Sequence, residues 1–285
     1  MSDKVVAGAH FSASKENPNE TWLVVGRLSN LGLEIFDVKK TGSHLLNNDL
    51  KTYKTLSALG IDCPFSWPEA FLNFLAVKKI KKNYSSWQEI VEELVFLPYD
   101  EFNALAKEYG KETKRVADTI PGTAACSPLK RANPANLHMT YHGMRTLATL
   151  DPARCYVVPF QDAIPFGCAV TETCPPDTLK YLGFKDLGYK AKDKTGEEAA
   201  EQVREKIVGD LIKLKERKAL TYKDFPALVV QKPYMHHFLQ SGQAIDALIS
   251  CYTMGMMAAA PAHFADPFSA DRMEVLLEGW IFRPQ

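Results

Sequence analysis

The sequence carries no surplus of charge: 34 Lys and Arg face 34 Asp and Glu, for a formal net charge of +0. That balance removes the general pull toward phosphate backbones or anionic lipid, so any nucleic-acid contact needs a local patch. Long apolar runs are also missing. Residues 254–260 are apolar, but Pro261 and Asp266 stop the run well short of a bilayer span. Asp3 and Lys4 precede only a very short apolar stretch, unlike a secretory signal. A cytoplasmic chain with no membrane partner is expected. None of the six cysteines (Cys63, Cys126, Cys155, Cys168, Cys174, Cys251) stands in a Cys-x-x-Cys pair. Zinc knuckles are thereby excluded, and buried free thiols are expected. The phosphate-binding Gly-x-x-x-x-Gly-Lys, the dinucleotide-binding Gly-x-Gly-x-x-Gly and the Gly-x-Ser-x-Gly nucleophile elbow are absent too. There is no internal repeat and no low-complexity segment.

What is present is ample core material: 46% of the 285 residues are hydrophobic and 24% are charged. Residues 5–9, 22–28 and 31–38 read as an antiparallel meander, with Ser29 and Asn30 suited to a tight hairpin. In the third strand Leu33 and Ile35 share one face, Glu34 and Phe36 the other. Thr41 or Ser43 can cap a helix reaching about Tyr53. Residues 56–61 read as a buried strand ending at Asp62, with Pro64 and Pro68 ending regular pairing beyond it. Residues 69–112 are mainly helical by the spacing of Trp87, Ile90, Val91 and Leu94 and of Phe102, Leu105 and Ala106. Lys78, Lys79, Lys81 and Lys82 fit a solvated helix face or a phosphate-facing patch. Residues 119–140, rich in Pro, Ala and Asn, read as a long loop. Strands return at 155–160 and 169–173. A charged amphipathic helix over 197–214 and a mostly apolar one over 240–260 follow. The order predicts an α/β fold with a mixed sheet: one domain over 1–285, with a helical and loop insert over 66–150.

Three acids stand in apolar surroundings. Asp62 ends a buried strand, Glu172 interrupts "CAVTETCPP", and Asp246 lies in "SGQAIDALISCYTMGMMAAA". In that helix Gln243, Asp246, Ser250 and Thr253 form one narrow polar stripe. A helix so apolar is largely buried, and an unpaired buried carboxylate stays neutral or destabilises the fold, so Asp246 needs a partner. Each acid has a local alternative: an Asx turn for Asp62, a lysine partner for Glu172, a helix starting just after Asp246. Taken together, carboxylates at strand ends facing an acid on a helix are the donor set of a hard divalent cation. Such an ion activates water for attack on a phosphodiester. His10 closes the first strand in "VVAGAHFSASK", beside Ser12, Ala13 and Ser14, which leave room for a ligand. His138 and His142 have the i, i+4 spacing that puts two imidazoles on one helical face, a second metal or phosphate site if that stretch is helical. His236 and His237, being adjacent, are expected to diverge and to play surface or core roles.

Six segments carry a family resemblance: "VVAGAHFSASK", "LGIDCPFS", "ETKRVADT", "FGCAVTETCPPDTLKYLG", "KDLGYKAK" and "QAIDALISCYTM". They run in order from residue 5 to about residue 260. On them the chain resembles domain-of-unknown-function family number 429, predicted nucleases with a ribonuclease H-like fold. The helix motif is also similar to the last helix of Holliday-junction resolvases of that superfamily, where acids bind metal. The resemblance implies a magnesium- or manganese-dependent hydrolase acting on nucleic acid. Asp62, Glu172 and Asp246 match its catalytic acids, and His10 joins them as a metal ligand. Arg115 and Asp118 match an Arg-x-x-Asp-like motif in the insert and, with His138 and His142, are candidates for substrate contact. His10 stands where the family usually has an aspartate, and Gln243 where the last helix usually has an earlier acid. Both changes remove negative charge. The other function in view is a catalytically weakened relative that binds a nucleotide, a small phosphate ligand or a protein partner.

Overall fold

The computed structural model describes residues 4–11, 20–79, 83–185, 188–191, 194–216, 223–268 and 274–285. The strands are β1 (Lys4–Phe11), β2 (Glu20–Ser29), β3 (Gly32–Gly42), β4 (Leu56–Ile61), β5 (Cys155–Val158), β6 (Cys168–Glu172) and β7 (Leu228–Val230). Helices α1 (Leu46–Lys51), α2 (Glu69–Lys78), α3 (Trp87–Phe96), α4 (Tyr99–Tyr109) and α5 (Pro134–Leu147) lie in the first half. After them come α6 (Pro175–Tyr181), α7 (Glu197–Ile212), α8 (Lys232–Gln240), α9 (Gly242–Ala259) and α10 (Val275–Glu278). The chain is thus α/β, as expected. Its seven-stranded mixed sheet has the order β5-β6-β4-β1-β2-β3-β7. β1, β2 and β3 form the antiparallel meander, β4, β6 and β5 extend it in parallel from β1, and β7 runs parallel to β3.

Strand alternation divides the interior into two cores. Val5, Ala7, Ala9 and Phe11 of β1, with Leu59 and Ile61 of β4 and Val170 of β6, face one core with α1–α5. Val6, Ala58, Leu33 and Ile35 face the other with α6–α9. Residues 66–150 hold α2–α5, packed on the first face. Lys78 and Lys79 pair with Glu108 and Glu101, as suits a solvated face. Lys81, Lys82, Ser12, Ala13 and Ser14 lie outside the described residues. Among the described residues no helix is long and apolar enough to cross a membrane.

Several local expectations shift. The β2–β3 turn falls at Asn30 and Leu31, with Gly32 at φ 138 closing it. Thr41 does not cap a helix; it stays in β3 and donates to Asp49. The long loop stops at Asn133, because Pro134 at the first helical position starts α5. Cys63, Cys155, Cys168 and Cys251 are buried free thiols, while Cys126 and Cys174 are only half-buried.

Helix α9 begins after Ser241, whose hydroxyl accepts from Ala244 N at 3.2 Å. Asp246 is therefore in the helix body, not its cap. Residues 244–256 of α9 are all buried, which its apolar circumference dictates. It rests on Gly8 and Gly60, register partners in β1 and β4. A Cβ on Gly8 would stand 2.1 Å from Cys251 N and 2.2 Å from Ala247 O, and one on Gly60 2.9 Å from Ser250 O. Helix backbone meets sheet backbone there. Gly8→Ala should therefore destabilise the protein by about 3 kcal/mol through overpacking, read as a lower urea midpoint at unchanged slope.

Candidate metal centre

β1, β4 and β6 run parallel, so their C-terminal ends share one edge of the sheet. Ligand sites of open α/β sheets lie at this edge. His10 is the next-to-last residue of β1, and Asp62 follows β4 with its N–H still bonded to Ala9 O at 3.0 Å. Val6, Ala58 and Gly60 face α9, and alternation carries His10 and Asp62 to the same side. The close seat of α9 brings Asp246 to meet them. His10 Nδ1 lies 2.8 Å from Asp62 Oδ2 and 3.5 Å from Asp246 Oδ2. One ligand atom from each residue falls within 4.8 Å of the others. His10 and Asp246 are buried and Asp62 is partly exposed. His10 and Asp62 line a cleft of about 540 Å³ together with Gln243, Lys190 and the start of α5 (Asn133, Asn136), and Asp246 lies buried behind them.

Two neighbours of this group escaped the sequence reading. Tyr189 OH donates to Asp246 Oδ1 at 2.7 Å. Lys190 Nζ sits 2.5 Å from Asp246 Oδ2, half-exposed and without the alignment of a hydrogen bond. Burial opposes the Lys190 charge, but Asp246 and Asp62 outweigh it and hold the ammonium above its ordinary value. Burial and the Asp246 charge keep the Tyr189 phenol protonated. Their only sequence signal was the need of a buried acid for donors, and a chain with 34 basic residues does not say which.

Glu172 is not part of the group. It is the register partner of Ile61, which faces the α1–α5 core. Asp62, one residue further on, faces α9. Glu172 therefore turns to the opposite side of the sheet, where its partner is an arginine rather than a lysine. Arg115 Nη2 donates to Glu172 Oε1 at 2.6 Å and Nη1 to Oε2 at 2.8 Å. Phe65 N adds 2.9 Å to Oε2. Arg115 also donates through Nε and Nη2 to Asp118 and through Nη1 to Glu278 O. All five guanidinium N–H groups are used. Arg115 and Asp118 are each 1% exposed and lock the insert to β6, while Arg115 and Glu172 also line the cleft beside His10 and Asp62.

His138 and His142 do share a face of α5, with ring centroids 4.2 Å apart. They pack against Tyr99 and Tyr141, not into the cleft. No third His, Cys, Asp or Glu completes a metal set with them among the described residues. Burial, then His138 and Arg145, lower His142 to about 4. His236 and His237 do not diverge; their rings lie 3.8 Å apart on α8. Burial, then the charges of Glu172 and Asp62, push the Cys63 thiol beside Asp62 well up.

Fold and site define an α/β protein with a buried His–Asp–Asp cluster at the C-terminal edge of its parallel strands. The chain matches no protein-family model, no curated protein and no solved structure.

Two outcomes check this assignment. Arg115→Met leaves Glu172 and Asp118 as unpaired buried charges and should cost about 3–5 kcal/mol in chemical unfolding. His142, neutral in the fold and with an unfolded value of 6.5, should titrate near pH 4 by NMR. The unfolded state then binds more protons between those values, so this contribution to stability is full above about pH 6.5 and fades toward pH 4.

Proposed function

We propose that this chain is a divalent-cation-dependent hydrolase of phosphodiester bonds in nucleic acid, built on a ribonuclease H-like fold of the kind found in family number 429. The observation that carries the reading is the convergence of His10, Asp62 and Asp246 at the C-terminal strand edge, where His10 and Asp62 line a cleft. Two carboxylates and an imidazole fit a cation such as manganese better than magnesium, which favours an all-oxygen shell. A buried Asp246 oxygen without an aligned hydrogen bond supports the fit. The ion, once held, supplies a water of lowered pKa as nucleophile. Tyr189 fixes the Asp246 carboxylate through Oδ1 and leaves Oδ2 toward the cleft group. Lys190, half-exposed on a flexible stem, gives up Asp246 to an arriving cation and meets the substrate's phosphate charge. With Glu172 engaged by Arg115, three donors remain, fewer than the about four that a two-ion site takes. One ion is the natural occupancy.

A second reading has its own support. Lys190 already neutralises Asp246, and Gln243 brings no charge to the cleft. Both favour a protein that binds a nucleotide, a small phosphate ligand or a protein partner without cutting.

The test is cleavage of single-stranded, duplex and branched nucleic acids with manganese or magnesium, beside calorimetric manganese binding. The wild type should cut with manganese, and Asp62→Asn should lose at least about 100-fold. Lys190→Ala should bind manganese more tightly, having no ammonium to displace. Cleavage that survives in Asp62→Asn sinks the hydrolase reading. Absent cleavage with saturable nucleotide binding supports the second one.

A further inference from the structure

The opposite end of the same strands carries different chemistry. β5 and β6 are parallel neighbours, and their register sets Cys155 beside Cys168. Such partners face the same side of a sheet about 4.8 Å apart, within the about 4.4–6.8 Å Cα separation that a disulfide bridges. The two thiols interact side by side, with the Cys168 S–H directed at Ala169 O at 3.9 Å. The neighbouring Cys168, aided by Arg154 against burial, draws the Cys155 thiol below its ordinary value. The same contact and burial push Cys168 up. One sulfur is thus prepared as the attacking thiolate, the other as its protonated partner.

The pair lines a cleft of about 230 Å³ with Lys51, Lys54 and Arg154, three cations against the single acid Asp151. Asp151 is turned to its own loop, accepting from Ala153 N at 3.0 Å. Phe166 stands at the mouth, fully exposed, with its backbone at φ 58. A bulky residue held in the left-handed region is strain that marks functional sites more often than packing. The hydrolase reading uses nothing at this end.

We propose that Cys155 and Cys168 form a dithiol–disulfide exchange site for a small disulfide bearing carboxylates. The Cys155 thiolate attacks one sulfur of that disulfide; its S–S bond breaks and one small thiolate leaves, taking the Cys168 proton. Cys168 then attacks the Cys155 sulfur of the mixed disulfide. The second small thiolate departs and takes a proton from water, and the Cys155–Cys168 bond closes. Two protein thiols lose two electrons between them, and the small disulfide is reduced to two thiols. Lys51, Lys54 and Arg154 draw in the carboxylates.

The probe is oxidised glutathione, added to the reduced full-length protein and followed by intact mass and non-reducing peptide mapping. The wild type should lose two hydrogens, carry no adduct and yield one cross-linked Cys155–Cys168 peptide. Cys168→Ser should trap a glutathione adduct on Cys155. At low salt the wild type should react about 10-fold faster with oxidised glutathione than with uncharged hydroxyethyl disulfide, the gap closing as salt rises. Free Cys155 and Cys168 in the wild-type map, or an adduct resting on Cys126 instead, overturns the proposal whatever the variant does.

Discussion

The candidate centre depends on one close approach, the seating of α9 on the backbones of Gly8 and Gly60. A methyl group at either place would lift the helix from the sheet. Asp246 comes one residue before Ala247, whose carbonyl overlies Gly8, and one turn before Ser250, whose carbonyl overlies Gly60. His10 and Asp62 each come two residues after these glycines and face the same way. The distance from helix acid to strand-end donors is therefore set by two missing side chains. The apolar residues around α9, each worth about 1.5–3 kcal/mol on full burial, hold it down but do not set that distance.

The pleat supplies the second constraint. Asp62 and Glu172 end neighbouring parallel strands, yet Glu172 pairs in register with Ile61. A single residue of offset sends the two carboxylates to opposite faces. One joins α9 and the other joins Arg115. The insert thereby gains its anchor. Arg115 and Asp118 lie between α4 and α5 in the chain, and their bonds to Glu172 and to the Glu278 carbonyl tie that segment to β6 and to α10.

Much of this was open to a reader of the sequence. The meander, β4, β6 and the long apolar helix follow from period-two and near-continuous apolar patterns, which survive tertiary packing well. The need of Asp246 for a partner followed from the helix around it. The side taken by Glu172 was legible in principle: Val170 and Glu172 share parity, as do Gly60 and Asp62, once the register is known. Register is a property of two strands and is not written in either. Tyr189 and Lys190 were out of reach for a different reason. They sit far along the chain from Asp246, and only the packed fold selects them among many tyrosines and lysines. The start of α5 was misplaced because Pro134 and the asparagines around it read as loop, although proline is at home at a first helical position.

The two buried charge clusters differ in a way that bears on function. Around Arg115, every guanidinium N–H has an acceptor, and every carboxylate oxygen of Asp118, Glu172 and Glu278 has a donor. That cluster is closed; its chemistry is spent on holding the fold. Around Asp246, one oxygen is satisfied by Tyr189 while the other has only an unaligned ammonium and a distant imidazole. Well-packed apolar side chains in place of such a group often cost nothing in stability, and can add to it. Asp246, a fully buried acid in a helix otherwise apolar, thus rests on the half-exposed Lys190 ammonium rather than on a closed set of donors, and that open arrangement is what the proposed exchange for a cation draws on.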